Sequence, residues 1–421
     1  MPVMCMKEAV SRISTYSADT FGVCSSLYEL RGMVVIHDPS GCNSTYATHD
    51  EPRWYDQDSL IFISGVTEMD AIMGNDDKFV HDVVSAARDF SPKFIVILCT
   101  PVPLMTGADM DALAAMIEEQ TGILTMASTT NNMNLYDKGI AWAMKMLAER
   151  IVKDVPAPSP AGPMCCSWQP EFAACGGAGA SAKPLRVNVI GATPLDFSYN
   201  GSEKSMKRFL RRSGFSPCSV WAMGSPLEEI EMAGLADVNL VVSAGAVEGA
   251  KVMKKRFGIP YVVGVPIGSY MQEEIAKGLR RAADTKEDIY VCADSRADCS
   301  EADTIIIGES VYSASLAAAL GREGQAAKVY CLLNEWPGVL GKEDIFVSSE
   351  GDLRCRLAGW TGTVIADPLY GPVVPEKAHF VGLGHTAFSG RLYQKVIPNL
   401  IDDFESFVKK VNDFAALVHT V

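Results

Sequence analysis

Short apolar runs alternate with amphipathic stretches along most of the chain. In its first part, continuous runs recur at Met33–Ile36, Leu60–Ile63, Phe94–Leu98 and Ile123–Met126. Between them Phe79, Val80, Val83, Ala87 and Phe90 fall at three- and four-residue steps, as do Met110, Leu113 and Ile117. That is the period of a helix burying one face. A further helix is expected around Ile140, Met144, Leu147 and Ile151. Continuous apolar strands separated by amphipathic helices predict parallel sheets covered on both faces.

The rhythm stops at residues 155–184, VPAPSPAGPMCCSWQPEFAACGGAGASAKP, rich in Pro, Gly, Ala and Ser. This composition reads as a linker or long loop. Beyond it come a strand at Val187–Ile190, a helix burying Met206, Phe209 and Leu210 with Gly214 as its stop, and strands at Val238–Val242 and Tyr261–Val265. Further strands are expected near Thr304–Ile307, Lys328–Leu332, Asp344–Val347 and His379–Val381, then a terminal helix over Ile397–Val418. The expected organisation is three Rossmann-like α/β domains with mostly parallel sheets: 1–154, 185–285 and 286–421, with 155–184 as the linker.

A chain of 421 residues exceeds what one core usually serves, which agrees with several domains. A formal charge of −14 argues against nucleic-acid binding, which needs a basic face. The N-terminus MPVMCMKEAV lacks the basic and apolar regions of a secretory signal, and no run reaches the ~20 apolar residues of a membrane span. A cytoplasmic location is therefore expected, and there the twelve cysteines are better read as free thiols or metal ligands than as disulfides.

Two cysteines follow strands. Cys42 comes after Met33–Ile36 through the turn Asp38-Pro39-Ser40-Gly41, and Cys99 ends the run Phe94–Leu98. In an open parallel sheet both would stand at the carboxyl edge, where ligand sites gather. Cys24, upstream of the first strand, is a third candidate that would fold back onto that edge. Thiolates in Gly- and Pro-containing loops suit iron–sulfur clusters, which usually take four. The remaining ligand would come from a second subunit or from oxygen. Any one of these cysteines taken singly reads as a small core hydrophobe.

The other motifs are negative. There is no G-x-x-x-x-G-K-[ST], no G-x-G-x-x-G after the first strand, no G-x-S-x-G and no H-E-x-x-H. Paired C-x-x-C zinc signatures are absent, and Cys165, Cys166 and Cys175 sit in the linker. His385, in Gly382-Leu383-Gly384-His385-Thr386, follows a strand and is a candidate to face a pocket, whereas His49 reads as a loop residue. Glu68 and Asp70 follow Leu60–Ile63 and are candidates to line a cleft.

Gly41-Cys42 after an apolar strand, then SLIFISGVTEMDAIMGNDDKFVHDVV (59–84) and FIVILCTPVPLMTGADMDAL (94–113), resembles the component 1 family of nitrogenase. The likeness continues through VNVIGATPLDFSYNGSEKSMKRFLRRSGF (187–215) and ADVNLVVSAGAVEGAKVMKKRFGIPYVVGVPIG (236–268), and becomes vaguer after about residue 290. The resemblance implies three Rossmann-like domains around a shallow cleft. It implies that Cys24, Cys42 and Cys99 hold a [4Fe-4S] or larger P-cluster-like iron–sulfur cluster shared at a subunit interface. The implied partners are a nitrogenase-iron-protein-like ATPase and a sister component-1-like subunit, or a second copy of this chain.

Three departures from the catalytic α subunit stand out. Ser243 follows the strand after which that subunit anchors its cofactor by cysteine, and TTNNMNLYDKG (129–139) has no histidine where the subunit carries one. The Cys24–Cys42 separation is also shorter than in the nitrogenase subunits. The expected role is an iron–sulfur subunit of an ATP-dependent reductase that relays low-potential electrons. The alternative is a non-catalytic scaffold for metallocluster assembly.

Overall fold

A computed structural model describes residues 17–39, 51–154, 183–296, 298–390 and 396–418, with side chains to residue 412. Its strands form three separate sheets, each wholly parallel in its pairings. The first contains β1 (Met33–His37), β2 (Leu60–Ile63), β3 (Ile95–Cys99) and β4 (Thr125–Ala127) in the order β2-β1-β3-β4. The second contains β5 (Arg186–Ile190), β6 (Ser216–Val220), β7 (Val238–Val241) and β8 (Tyr261–Val263), ordered β6-β5-β7-β8. The third runs β11-β10-β9-β12-β13, with β9 (Thr304–Ile307), β10 (Ala327–Cys331), β11 (Ile345–Phe346), β12 (Thr363–Ala366) and β13 (His379–Gly382).

The central strands β3, β7 and β9 are buried at every position. Helices on both faces seal them, so alternation would have left polar side chains inside. The helix Asp76–Phe90 buries Phe79, Val80, Val83, Val84 and Ala87, the stripe expected from its period. The helix Ser202–Arg212 likewise buries Met206, Phe209 and Leu210, and Gly214 follows it with φ +81°.

Three features differ from the reading of periodicity. Strands β6 and β12 were not anticipated: β6 spells Ser-Pro-Cys-Ser-Val, and only its last two residues are fully buried. The terminal helix begins at Phe404 rather than Ile397. The Asn399 carbonyl accepts from the amides of Asp402 and Asp403, so a turn precedes the helix.

The order of each sheet creates a reversal. In the first, the chain leaves β1 to one side for β2 and returns on the other at β3. Carboxyl-end loops diverge there, opening a crevice where open α/β sheets bind ligands. The corresponding strand pairs are β1/β3, β5/β7 and β9/β12.

Close helix packing ties together the two ends of the first α/β unit. The helix Asp19–Leu27 crosses the helix Tyr136–Met146 with Gly22 and Gly139 at the contact. A Cβ on Gly22 would collide with the Tyr136 carbonyl, and one on Gly139 with the Asp19 carbonyl.

Candidate functional site

At the carboxyl edge of the first sheet, Cys99 is the last residue of β3 and lies opposite His37 of β1. The Thr100 hydroxyl donates to the His37 carbonyl at 2.9 Å, tying the two strand ends together. Cys99 is nearly buried, its thiol donating to the Thr100 carbonyl at 3.5 Å, and burial pushes its pKa up. His37 Nδ1 lies 2.9 Å from Ser64 Oγ, and burial lowers its pKa. Cys42 lies outside the described residues, but the segment that carries it starts where β1 ends, at this reversal point.

The described chain resumes at residue 51 with a buried anchor. Arg53 and Glu51 are both fully buried. Arg53 donates to both oxygens of Glu51, at 2.7 and 3.1 Å, to Glu29 at 3.1 Å, and to the carbonyls of Ser25 at 2.8 Å and Ala222 at 2.9 Å. Its guanidinium stacks 4.5 Å from the Tyr28 ring centroid.

Cys24 is placed differently. It is fully buried in the helix Asp19–Leu27, within the apolar core, and burial together with the nearby Glu51 carboxylate raises its pKa well above the usual thiol range. An iron–sulfur cluster needs thiolates converging on one space. Among the described residues no three His, Cys, Asp or Glu side chains converge in that way. Those residues therefore supply one thiol at the edge, Cys99, and one sealed in the core, Cys24; the fit of a cluster turns on the segment bearing Cys42. Cys218, Cys292, Cys299 and Cys331 are free as well, whereas Cys355 is disulfide-bonded, against the expectation of free thiols. His49, Cys165, Cys166 and Cys175 lie outside the described residues.

Glu68 and Asp70 stand at the start of a helix. They occupy the first turn of the helix Glu68–Met73, where Thr67 and Asp70 form a reciprocal capping box and Asp70 pairs with Lys78 at 2.9 Å. That helix buries none of its residues, and the helix Pro101–Thr106, which contacts it, buries only Pro103. Met69, Ile72, Met73, Leu104 and Met105 are exposed on these two helices, Met105 to 85%. A six-residue helix that buries nothing has little to hold it in water, and an exposed apolar cluster of this kind marks an interaction surface.

The reversal points of the second and third sheets meet at an internal junction. Asp196 follows β5, Ser243 follows β7, Glu309 follows β9 and His385 follows β13. Tyr136, from the helix behind the first sheet, donates to Asp196 at 2.6 Å. His385 lines the cavity here, as its place after a strand suggested, with Nε2 3.5 Å from Asp196 Oδ1. The enclosed space is about 20 Å³, room for a water molecule rather than a metallocluster. Ser243 is buried with its hydroxyl unpartnered, and it is an oxygen where a cluster anchor would be sulfur. The residues at this junction do not fit a second metallocluster.

Three parallel α/β sheets with a thiol at the reversal point of the first define a component-1-type architecture. The chain belongs to the nitrogenase component 1 type oxidoreductase family, whose profile matches residues 21–306. It is similar to the nitrogenase iron-molybdenum cofactor biosynthesis protein NifE of Clostridium pasteurianum, with 25% identity over 265 residues, 59% of this chain and 49% of that protein. The chain thus spans about half the length of the curated relative it matches. Two solved structures, nitrogenase Cp1 at pH 6.5 and at pH 5, each superpose with a TM-score of 0.62. They are 14% and 15% identical, over 97% of this chain and 91% and 90% of theirs, a likeness of fold. No helix among the described residues is long and apolar enough to cross a membrane.

Sequence reasoning missed Arg53, Glu51, Tyr136, Asp196 and Glu309. Asp196 and Glu309 each follow a buried strand as its first acidic residue, a signal visible in the sequence. Nothing local in the chain reveals that the two share one cavity.

Proposed function

We propose that this chain is a scaffold subunit that holds an iron–sulfur-containing metallocluster for transfer, in a nitrogenase-like assembly system. The observation that carries the reading is the contrast between its two candidate sites. A thiol stands at the reversal point of the first sheet, while the cavity at the three-sheet junction is lined by no thiol and is too small for a second cluster. Similarity to a cofactor biosynthesis protein supports the same choice. Cys99 and Cys42 are the proposed ligands, with Cys24 the third candidate; a cluster held there would supply iron redox chemistry and labile sulfide. Burial of Cys99 lowers the local dielectric and excludes water, and the Thr100–His37 bond fixes the strand end that presents it.

The exposed Met- and Leu-bearing helices flank this edge and are the proposed docking face for a sister component-1-like subunit or an iron-protein-like ATPase. The electron-relay reading draws on the same feature, because a partner seated there would lie beside the cluster. Anaerobic purification with iron and sulfide analysis and EPR tests the cluster. A colourless protein without iron after reconstitution overturns both readings. Cluster release to an apo-acceptor without turnover supports the scaffold; reduction of a small substrate with the ATPase and ATP supports the relay.

A further inference from the structure

The junction of the three sheets holds a group of acids that cluster binding does not use. Asp196 and Glu309 line one cavity of about 20 Å³, and both are almost wholly buried. Asp196 comes from the second sheet, Glu309 from the third, and Tyr136, bonded to Asp196, from the helix behind the first. Glu309 binds across the same boundary: its Oε1 accepts from the Ala244 amide at 3.0 Å, next to β7, while its Oε2 accepts from Tyr312 of its own helix at 2.7 Å. The cavity lining contains no lysine or arginine. Two carboxyls therefore share a small buried space whose lining has no lysine or arginine, and the cost of burying both as anions is high.

We propose that Glu309, which shares its cavity with Asp196, is a proton-operated latch between the sheets: a proton held on Glu309 keeps the junction closed, and its loss lets the junction open.

The titratable groups facing the pair are His385 from the third sheet, with both ring nitrogens lacking a hydrogen-bond partner, and Tyr136, whose hydroxyl is already committed to Asp196. Tyr312 stands on the helix that Glu309 caps. Asp137, beside Tyr136, is turned to the third sheet, where it accepts from Asn334 at 2.7 Å and Trp336 at 2.9 Å. Cys292 and Cys331 lie within reach of the Glu309 charge and are fully buried thiols, their pKa values raised by burial. Burial first, and then the Asp196 charge, raises Glu309 from 4.5 to about 8; its backbone amide donors offset only part of that.

The sign follows from proton binding. The closed junction retains a proton that the open, hydrated carboxyl would release, so rising pH favours opening between 4.5 and about 8 and has no further effect above that. One proton changes the opening equilibrium roughly tenfold per pH unit in that window.

Hydrogen exchange of the full chain tests this in peptides spanning residues 240–247, 306–313 and 383–390. After division by the intrinsic rate, opening should rise roughly tenfold per pH unit from pH 5.5 to 7.5. A peptide within 76–90, remote from the junction, should show no such slope. Glu309→Gln should abolish the slope, and Asp196→Asn should end it at lower pH, because the charge that retains the proton is gone. A flat corrected profile in the unmodified protein overturns the latch without any variant. So does a slope that survives in Glu309→Gln.

Discussion

Replacing Arg53 by alanine probes the buried anchor that precedes β2. Arg53 and Glu51 are both fully buried, and every N–H of the guanidinium fork has an acceptor. Alanine would leave the Glu51 carboxylate without its guanidinium partner in the core and strip a charged donor from the Ser25 and Ala222 carbonyls. Breaking a buried pair from one side costs about 3–5 kcal/mol, mainly because the remaining charge stays desolvated. Since ~1 kcal/mol moves the midpoint by about 2–4 °C in a domain of 150–250 residues, the expected loss is on the order of 10 °C. Calorimetry on the wild type and variant measures it. The double variant Arg53→Met/Glu51→Leu should recover most of the loss, because it removes both charges and keeps apolar volume. A single-variant shift below ~3 °C, or a double variant as unstable as the sum of its parts, would refute the reasoning.

The remaining predictions concern the proposed ligands, the helix crossing and the exposed edge. Cys42→Ala and Cys99→Ala should each lower iron content after anaerobic reconstitution, whereas Cys165→Ala and Cys175→Ala should leave it unchanged; equal loss in all four would remove the edge site from consideration. Gly139→Ala drives a methyl into the Asp19 carbonyl, where backbone must move, and should cost about 1–3 kcal/mol as seen in urea unfolding. An unchanged midpoint would mean that the helices have room to part. Met105→Glu should change stability by no more than about 0.5 kcal/mol, since the side chain is 85% exposed, while weakening association with the sister subunit or ATPase in sedimentation experiments. Loss of stability without loss of association would show that the residue packs within its own chain.

Most of the architecture was legible from the chain because strands buried on both faces are mainly apolar. The runs at β1, β3 and β9 carry that signature, β5 and β7 carry it around the buried, mutually bonded Asn188 and Asn239, and the intervening helices carry theirs in Phe79–Ala87 and Met206–Leu210. Strand β6 was hidden because Ser216, Pro217 and Cys218 are only partly buried, and β12 because only Val364 and Ile365 of Thr-Val-Ile-Ala are large and apolar. Glu68 and Asp70 mark the limit of reasoning from strand ends. Their place after a strand suggested a cleft, but acids in a first helical turn are equally well explained by caps and the helix dipole.

By itself the sequence determined the class of fold, the family and the position of Cys99 at a strand end, since each depends on local order along the chain. Only the tertiary structure decided that Cys24 is sealed in the core, that Asp70 caps a helix with Thr67, and that Asp196, Glu309, His385 and Tyr136 meet. Asp196 and Glu309 lie on different sheets, and their shared burial arises from how those sheets pack. Hydrophobic periodicity reports which side of an element turns inward; it carries no information about which other element it will face there.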